Sequence, residues 1–209
     1  MNLGTIHEEV RGIIARGSSQ DSKIPRWVRN AAQWLEQNYD FQHMERTGET
    51  YLDPNAAVPN ALDLPNSRVK NVPLVVPFQD APDGSRRYFA ELPLVTKDRV
   101  LSIDIGVPTG RWLSGNKLFF DARPTEILRL EMDYHEYTAW PVDLTAAPTL
   151  VERYSNLLTA QTMIGVWREL KDAEAMALWT AERDLAIGAV LRAEEDSKWA
   201  GRASSMGMG

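Results

Sequence analysis

Asp133-Tyr134-His135-Glu136 is the stretch of this chain whose residue types and spacing come nearest to chemistry. Residues two apart on a strand share a face, so Asp133 and His135 stand as neighbours able to act as an acid–base pair or as two ligands of a metal. The competing reading is a solvent-facing row of alternating charge on a sheet, and the alternation favours it. No second histidine lies nearby in sequence to complete a site, and the chain has three in all. His43, beside Glu45 and Arg46, reads as part of a polar loop after a helix. Gly-x-Ser-x-Gly is absent, and Ser114-Gly115-Asn116-Lys117 lacks the spacing of a phosphate-binding loop. Asp121, Glu126, Glu131 and Asp133 define no particular pair among 29 acidic residues. The expectation is a chain with no catalytic residue, no metal and no cofactor.

Composition narrows the remaining classes. Zero cysteines exclude disulfides, thiolate metal sites and thiol nucleophiles, and fit synthesis in a reducing cytoplasm. Net charge is −6 and the pI is near 5.2, so there is no overall basic footprint for nucleic acid. Arg86-Arg87 and Arg26 with Arg29 allow non-specific contact with a passing duplex and no sequence reading. The first residues carry His7, Glu8, Glu9 and Arg11 within their apolar pattern, unlike a secretory signal, and no apolar run is long enough to span a membrane. Seven tryptophans are many for 209 residues, and such rings serve cores and interfaces alike.

The elements fall into three blocks. Thr5-Ile6-His7-Glu8 reads as a capping box opening a helix over about 5–16. Pro25 suits the first turn of a second helix over about 25–40, with Val28, Ala31, Ala32 and Leu35 on one face and Trp27 and Trp34 widening it. From 44 to 147 the character changes, since ten of the twelve prolines lie there. Short runs at 68–76, 87–95, 100–105, 117–120 and, most clearly, 127–137 read as strands, with Asp83-Gly84 as a turn and 53–66 as a surface excursion. Thr149-Leu150-Val151-Glu152 is a second capping box, opening a helix over about 150–170 in which Gly165 marks a close packing partner. Lys171-Asp172 is a tight joint before a last helix over about 173–198. Trp167 and Trp179 read as interhelical packing, and 200–209 as a flexible tail. The fold class is α+β: one domain over 1–209, a helical bundle built from both ends with a β-rich insertion at about 44–147. Trp199, beside Lys198 and Arg202 where few intramolecular partners remain, is the candidate contact with another chain. Arg202 and the tail's isolated apolar anchors Met206 and Met208 join it.

Ile24-Pro25-Arg26-Trp27-Val28-Arg29-Asn30-Ala31-Ala32-Gln33-Trp34-Leu35 resembles the early helix of tailed-bacteriophage head–tail adaptor (connector) proteins. Met44 then stands where that family opens its strand region, and Leu128–Tyr137 is similar to its acidic-aromatic strand. The closing stretch resembles the family most: Tyr154-Ser155-Asn156-Leu157-Leu158, Leu170-Lys171-Asp172-Ala173-Glu174, Ala177-Leu178-Trp179, Ala189–Ala193 and Glu194-Glu195-Asp196. The resemblance covers most of the chain, and none of its motifs encodes chemistry. It implies a non-enzymatic virion structural protein at the head–tail interface, made in the host bacterial cytoplasm. Its partners would be itself in a homo-oligomeric, dodecameric ring, the portal protein above, and a tail tube or nozzle protein below. Double-stranded DNA would pass non-specifically through the channel during packaging and ejection, and no membrane is involved. Two other readings stand beside it: a binding module that uses the β-rich middle for recognition, and a metal-dependent enzyme around Asp133 and His135.

Overall fold

The structure, a computed structural model, describes the backbone of residues 1–14, 18–81, 83–101 and 104–206, and the side chains of 1–14, 20–81, 83–100 and 104–197. In chain order the elements are α1 (Leu3–Ile14), a 3-10 segment (Ser18–Lys23), α2 (Ile24–Asn38), β1 (Glu45–Leu52), β2 (Ala61–Asp63), β3 (Val69–Asp80) and β4 (Arg86–Tyr88). There follow α3 (Lys97–Leu101), β5 (Asp104–Ile105), β6 (Arg111–Ser114), β7 (Lys117–Phe120), β8 (Ala122–Arg123) and β9 (Leu128–Glu136). The chain closes with α4 (Thr149–Arg153), α5 (Ser155–Leu170) and α6 (Ala173–Met206). Helix-rich ends flank a sheet-rich middle, as the proline distribution implies. The chain packs as two compact units, 1–43 with 138–209, and 44–137.

The first unit is helical. Asn2, not Thr5, caps α1: its Oδ1 accepts from the Thr5 backbone N–H at 2.9 Å and the Thr5 hydroxyl at 3.0 Å. Thr5 therefore lies inside the helix, which starts two residues earlier than its capping pattern suggests. Leu3, Ile6, Val10 and Ile14 form its buried stripe. On α2, Ile24, Trp27, Val28, Ala31, Ala32 and Leu35 face inward. Glu169 on α5 fastens the start of α2, accepting from Lys23 Nζ (2.9 Å), Arg26 Nη2 (2.8 Å) and Trp27 Nε1 (2.7 Å). The second capping box is corrected as well, since α4 begins at Thr149 itself, behind Pro148, with no side-chain cap. The helix expected over 150–170 is two helices, broken at Tyr154, whose backbone leaves the helical region (φ −128°, ψ 34°).

The joint at Lys171-Asp172 is as the sequence implies. Lys171 takes the left-handed conformation (φ 58°) and Asp172 Oδ1 caps α6 through the Ala175 N–H at 3.0 Å. Gly165 differs: among the described residues a Cβ there would meet nothing within 4 Å, so none of them crosses at that point. The last helix continues through Met206, past the boundary at Lys198. No proline follows Pro148, and Ala200, Arg202, Ala203 and Met206 are good helix formers, so each further residue adds a hydrogen bond. Residues 138–147 pack with the helices rather than with the strands. Leu3 N–H donates to Ala146 O at 3.0 Å and Gly4 N–H to Leu144 O at 2.8 Å.

The second unit holds an antiparallel four-stranded sheet ordered β1-β9-β3-β4, a three-stranded sheet ordered β2-β7-β6 and a short parallel pair β5-β8. Leu52, Val75, Leu128, Leu130 and Met132 from the first sheet meet Leu118 and Phe120 from the second, with Leu64, Val72 and Leu92 closing the core. β7 and β9 lie where the alternation places them. Lys97–Leu101, partly covered by an expected strand, is a short helix, and the excursion at 53–66 is tied in by β2 and by buried Asn60 and Leu64. The Asp83-Gly84 turn joins β3 to β4, with Gly84 at φ +81°.

Candidate functional site

β9 carries the Asp133–His135 pair, and each side chain bonds to a different neighbouring strand. Asp133 Oδ1 accepts from Thr47 Oγ1 on β1 at 2.7 Å, while His135 Nδ1 lies 2.6 Å from Asn71 Oδ1 on β3. The two residues are turned to opposite flanking strands, although both border one shallow hollow with Glu45, Arg46 and Pro73. His135 is buried rather than solvent-facing. β3 slips register against β9 between Val69 and Asn71 and again between Asn71 and Leu74, and these irregularities break the inside–outside alternation at its end. Arg111 reaches the same irregular stretch from β6: its Nη2 donates to Pro73 O at 2.6 Å while the residue is 2% exposed. Burial holds its pKa below the usual value, with the Glu91 charge opposing that shift. Among the described residues no three His, Asp or Glu side chains cluster as a metal-binding set.

Asp121 shows how a carboxylate becomes structural. It is 7% exposed and accepts from the Thr109 N–H (2.8 Å), Thr109 Oγ1 (2.7 Å) and the Gly110 N–H (2.9 Å), with Arg99 Nη2 at 3.1 Å. Burial alone would raise its pKa; these donors and the Arg99 charge outweigh it, and the net shift is downward. Gly110 is required there, since a Cβ would fall 2.4 Å from Val95 Cγ1.

A buried polar cluster, which sequence reading misses, lies in the helical unit where the chain leaves and re-enters it. His43 is buried there, not part of an exposed loop: its Nε2 donates to Glu36 Oε1 at 3.3 Å, and Glu36 Oε2 accepts from the Thr138 N–H at 3.1 Å. Glu194 on α6, 9% exposed, accepts from the Tyr154 hydroxyl and from the Gln42 N–H at 3.1 Å. Phe41 stacks on His43 at 5.6 Å and on Tyr154 at 5.4 Å between ring centroids. The Glu36 and Glu194 carboxylates, the Tyr154 hydroxyl and His43 Nε2 each meet a local partner, the pattern of a clamp. The one available signal was Phe41-Gln42-His43 with Tyr154, aromatic and polar residues alternating at element ends.

Two of the cations considered for nucleic acid are engaged in ion pairs. Arg86 pairs with Glu49 at 2.7 Å and Glu131 at 3.4 Å, and Arg26 with Glu169. Arg86 and Arg129 flank the Phe78 ring at 4.7 and 5.8 Å on the outer face of the four-stranded sheet, where Tyr51 and Tyr88 are exposed. Trp199, Arg202 and Met206, the expected partner contacts, lie on the α6 backbone, with side chains outside the described residues, and Met208 lies outside them altogether. Trp167 and Trp179 are half-buried. No helix among the described residues is long and apolar enough to cross a membrane. No protein-family model matches the chain, and no curated protein matches it.

Proposed function

We propose that this chain is a virion structural protein, a head–tail adaptor that assembles as a dodecameric ring beneath the portal of a tailed bacteriophage. In that role it extends the DNA channel and offers a docking surface to the tail tube or nozzle protein, without catalysing a reaction. The observation that carries the reading is the connectivity: both chain ends build one helical unit, and the strand-rich unit interrupts it at 44–137. That is the arrangement implied by the resemblance at Ile24–Leu35 and across Tyr154–Asp196. The chemistry of these side chains is compatible with it, because buried Asp121, His135, Glu36 and Glu194 and half-buried Asp133 are each held by structural hydrogen bonds. The test is to mix the purified chain with portal rings encoded beside its gene and image the product by electron microscopy. A ring of this chain on the portal supports the reading, and no association at any concentration sinks it.

The binding-module reading has its own observation, the exposed Tyr51 and Tyr88 beside Arg86 and Arg129. Tyrosine and arginine dominate interface hot spots. If this face carries the function, changing Tyr51 and Tyr88 together to Ala abolishes partner capture by the intact chain. An adaptor bound to its portal through its helices keeps portal binding in that variant.

A further inference from the structure

The helical unit presents two exposed apolar surfaces whose charges are opposite. The first lies between α1, α5 and α6. Leu185 (70% exposed) and Leu178 (61%) stand one heptad apart on α6, and Leu185 borders a hollow with Trp179, Ala160, Glu9 and Glu182. The two charged residues lining that hollow are both acidic. A second stripe of α6, through Met176, Thr180, Arg183, Ile187, Val190 and Glu194, is the partly or fully buried one. The Leu178–Leu185 stripe is therefore a separate, uncovered face.

The second surface is formed by the start of α2, one side of α1 and residues 140–144. Val142 (86% exposed) and Leu144 (47%) accompany Trp140, Arg26 and Arg29 there. Arg29 enters no ion pair among the described residues, and Asp143 is turned to the N–H and hydroxyl of Thr145. His7 borders this surface, and its pKa is held low by burial and then by Arg11; Arg26 is paired with Glu169, so at neutral pH the positive charge open to a partner is that of Arg29. His7 and Glu9 are two residues apart on α1, roughly 200° around a helix of 3.6 residues per turn, so the two surfaces face different ways.

We propose that these surfaces bind each other between copies of the chain, Leu178 and Leu185 of one against Val142 and Leu144 of the next, with Glu9 and Glu182 meeting Arg29. Two different, complementary patches on one protomer define a head-to-tail contact, the kind that closes into a ring and cannot form an isologous dimer. Apolar centres with an opposite-charge rim match the anatomy of specific interfaces. The inference rests on the adaptor reading for ring closure and adds which faces make the contact.

The chain has no cysteine, so engineered thiols report the contact without background. Val142→Cys and Leu185→Cys replace highly exposed side chains. Under mild oxidation the two single-cysteine chains should form disulfide-linked dimers only when mixed, and the doubly substituted chain should form a ladder of higher species. Arg29→Glu and Glu182→Arg should each weaken self-association at least tenfold in sedimentation experiments. Dimers from either single-cysteine chain alone, or none in the mixture, overturn the proposal. Rings seen on portals without the 142–185 cross-link overturn it and leave the adaptor reading standing. A cross-linked ladder from a chain that never binds portal does the reverse.

Discussion

A carboxylate taken out of water is tolerated only where donors converge on it, and this chain supplies such donors at several places. Glu194 depends on two, the Tyr154 hydroxyl and the Gln42 N–H. Tyr154→Phe leaves it half-answered, and unfolding in urea should show a loss of about 1–3 kcal/mol. The Tyr154 phenol is pushed up to about 12 by burial and then by its bond to Glu194. A raised folded pKa contributes stability that is present below the ordinary tyrosine value of about 10 and lost as pH rises through the folded value. Wild-type stability should therefore fall between those limits more steeply than that of Tyr154→Phe. Asp121 has the opposite sign, its pKa lying below the ordinary carboxylate value. Its contribution is present above about pH 4 and lost as pH falls through the depressed folded value. Asp121→Asn should cost about 1.5–3 kcal/mol at neutral pH and flatten the acid limb of a stability–pH curve.

Individual elements divide by how local their causes are. α2 is legible because Pro25 and an apolar stripe of helical period both sit within fifteen residues. β1 is not, because Glu45-Arg46-Thr47-Gly48-Glu49-Thr50 is a polar, largely exposed edge strand that exists through pairing with β9. The α1 start is ambiguous in the sequence because Thr5-x-x-Glu8 and Asn2 both satisfy capping rules, and only the folded backbone shows that Asn2 is the cap. The two notable glycines separate in the same way. Gly165→Ala should stabilise the chain by roughly 0.5–1 kcal/mol, since the helix gains propensity and the added methyl group meets nothing. Gly110→Ala should destabilise it by about 1–3 kcal/mol through overpacking against Val95. Thermal unfolding of the two variants should move in opposite directions.

For the whole molecule the consequential question is which surfaces meet other chains. Trp199 remains the expected contact near the end of α6, where Arg202 and Met206 follow on the same helix. If it is an interface anchor, Trp199→Ala should weaken portal binding by about 2 kcal/mol, roughly thirty-fold, with unchanged far-UV circular dichroism. Removing residues 201–209 should impair the same binding and leave the urea midpoint of the helical unit in place.

The sequence by itself determined the order of the architecture, helices at both ends and strands between, because hydrophobic period and proline placement act over a few residues. It also determined the Lys171-Asp172 joint and the course of β9. Only the tertiary structure decided which polar groups are buried and which segments hold them. His43 reads as a loop residue until Glu36 and Phe41 close over it, and Glu194 reads as part of an acidic helix end until Gln42, 152 residues away, donates to it. Asp133 and His135 share a face on paper, yet β1 claims one and β3 the other. Burial and hydrogen bonding are set by distant segments brought together, and no local pattern encodes which segment arrives.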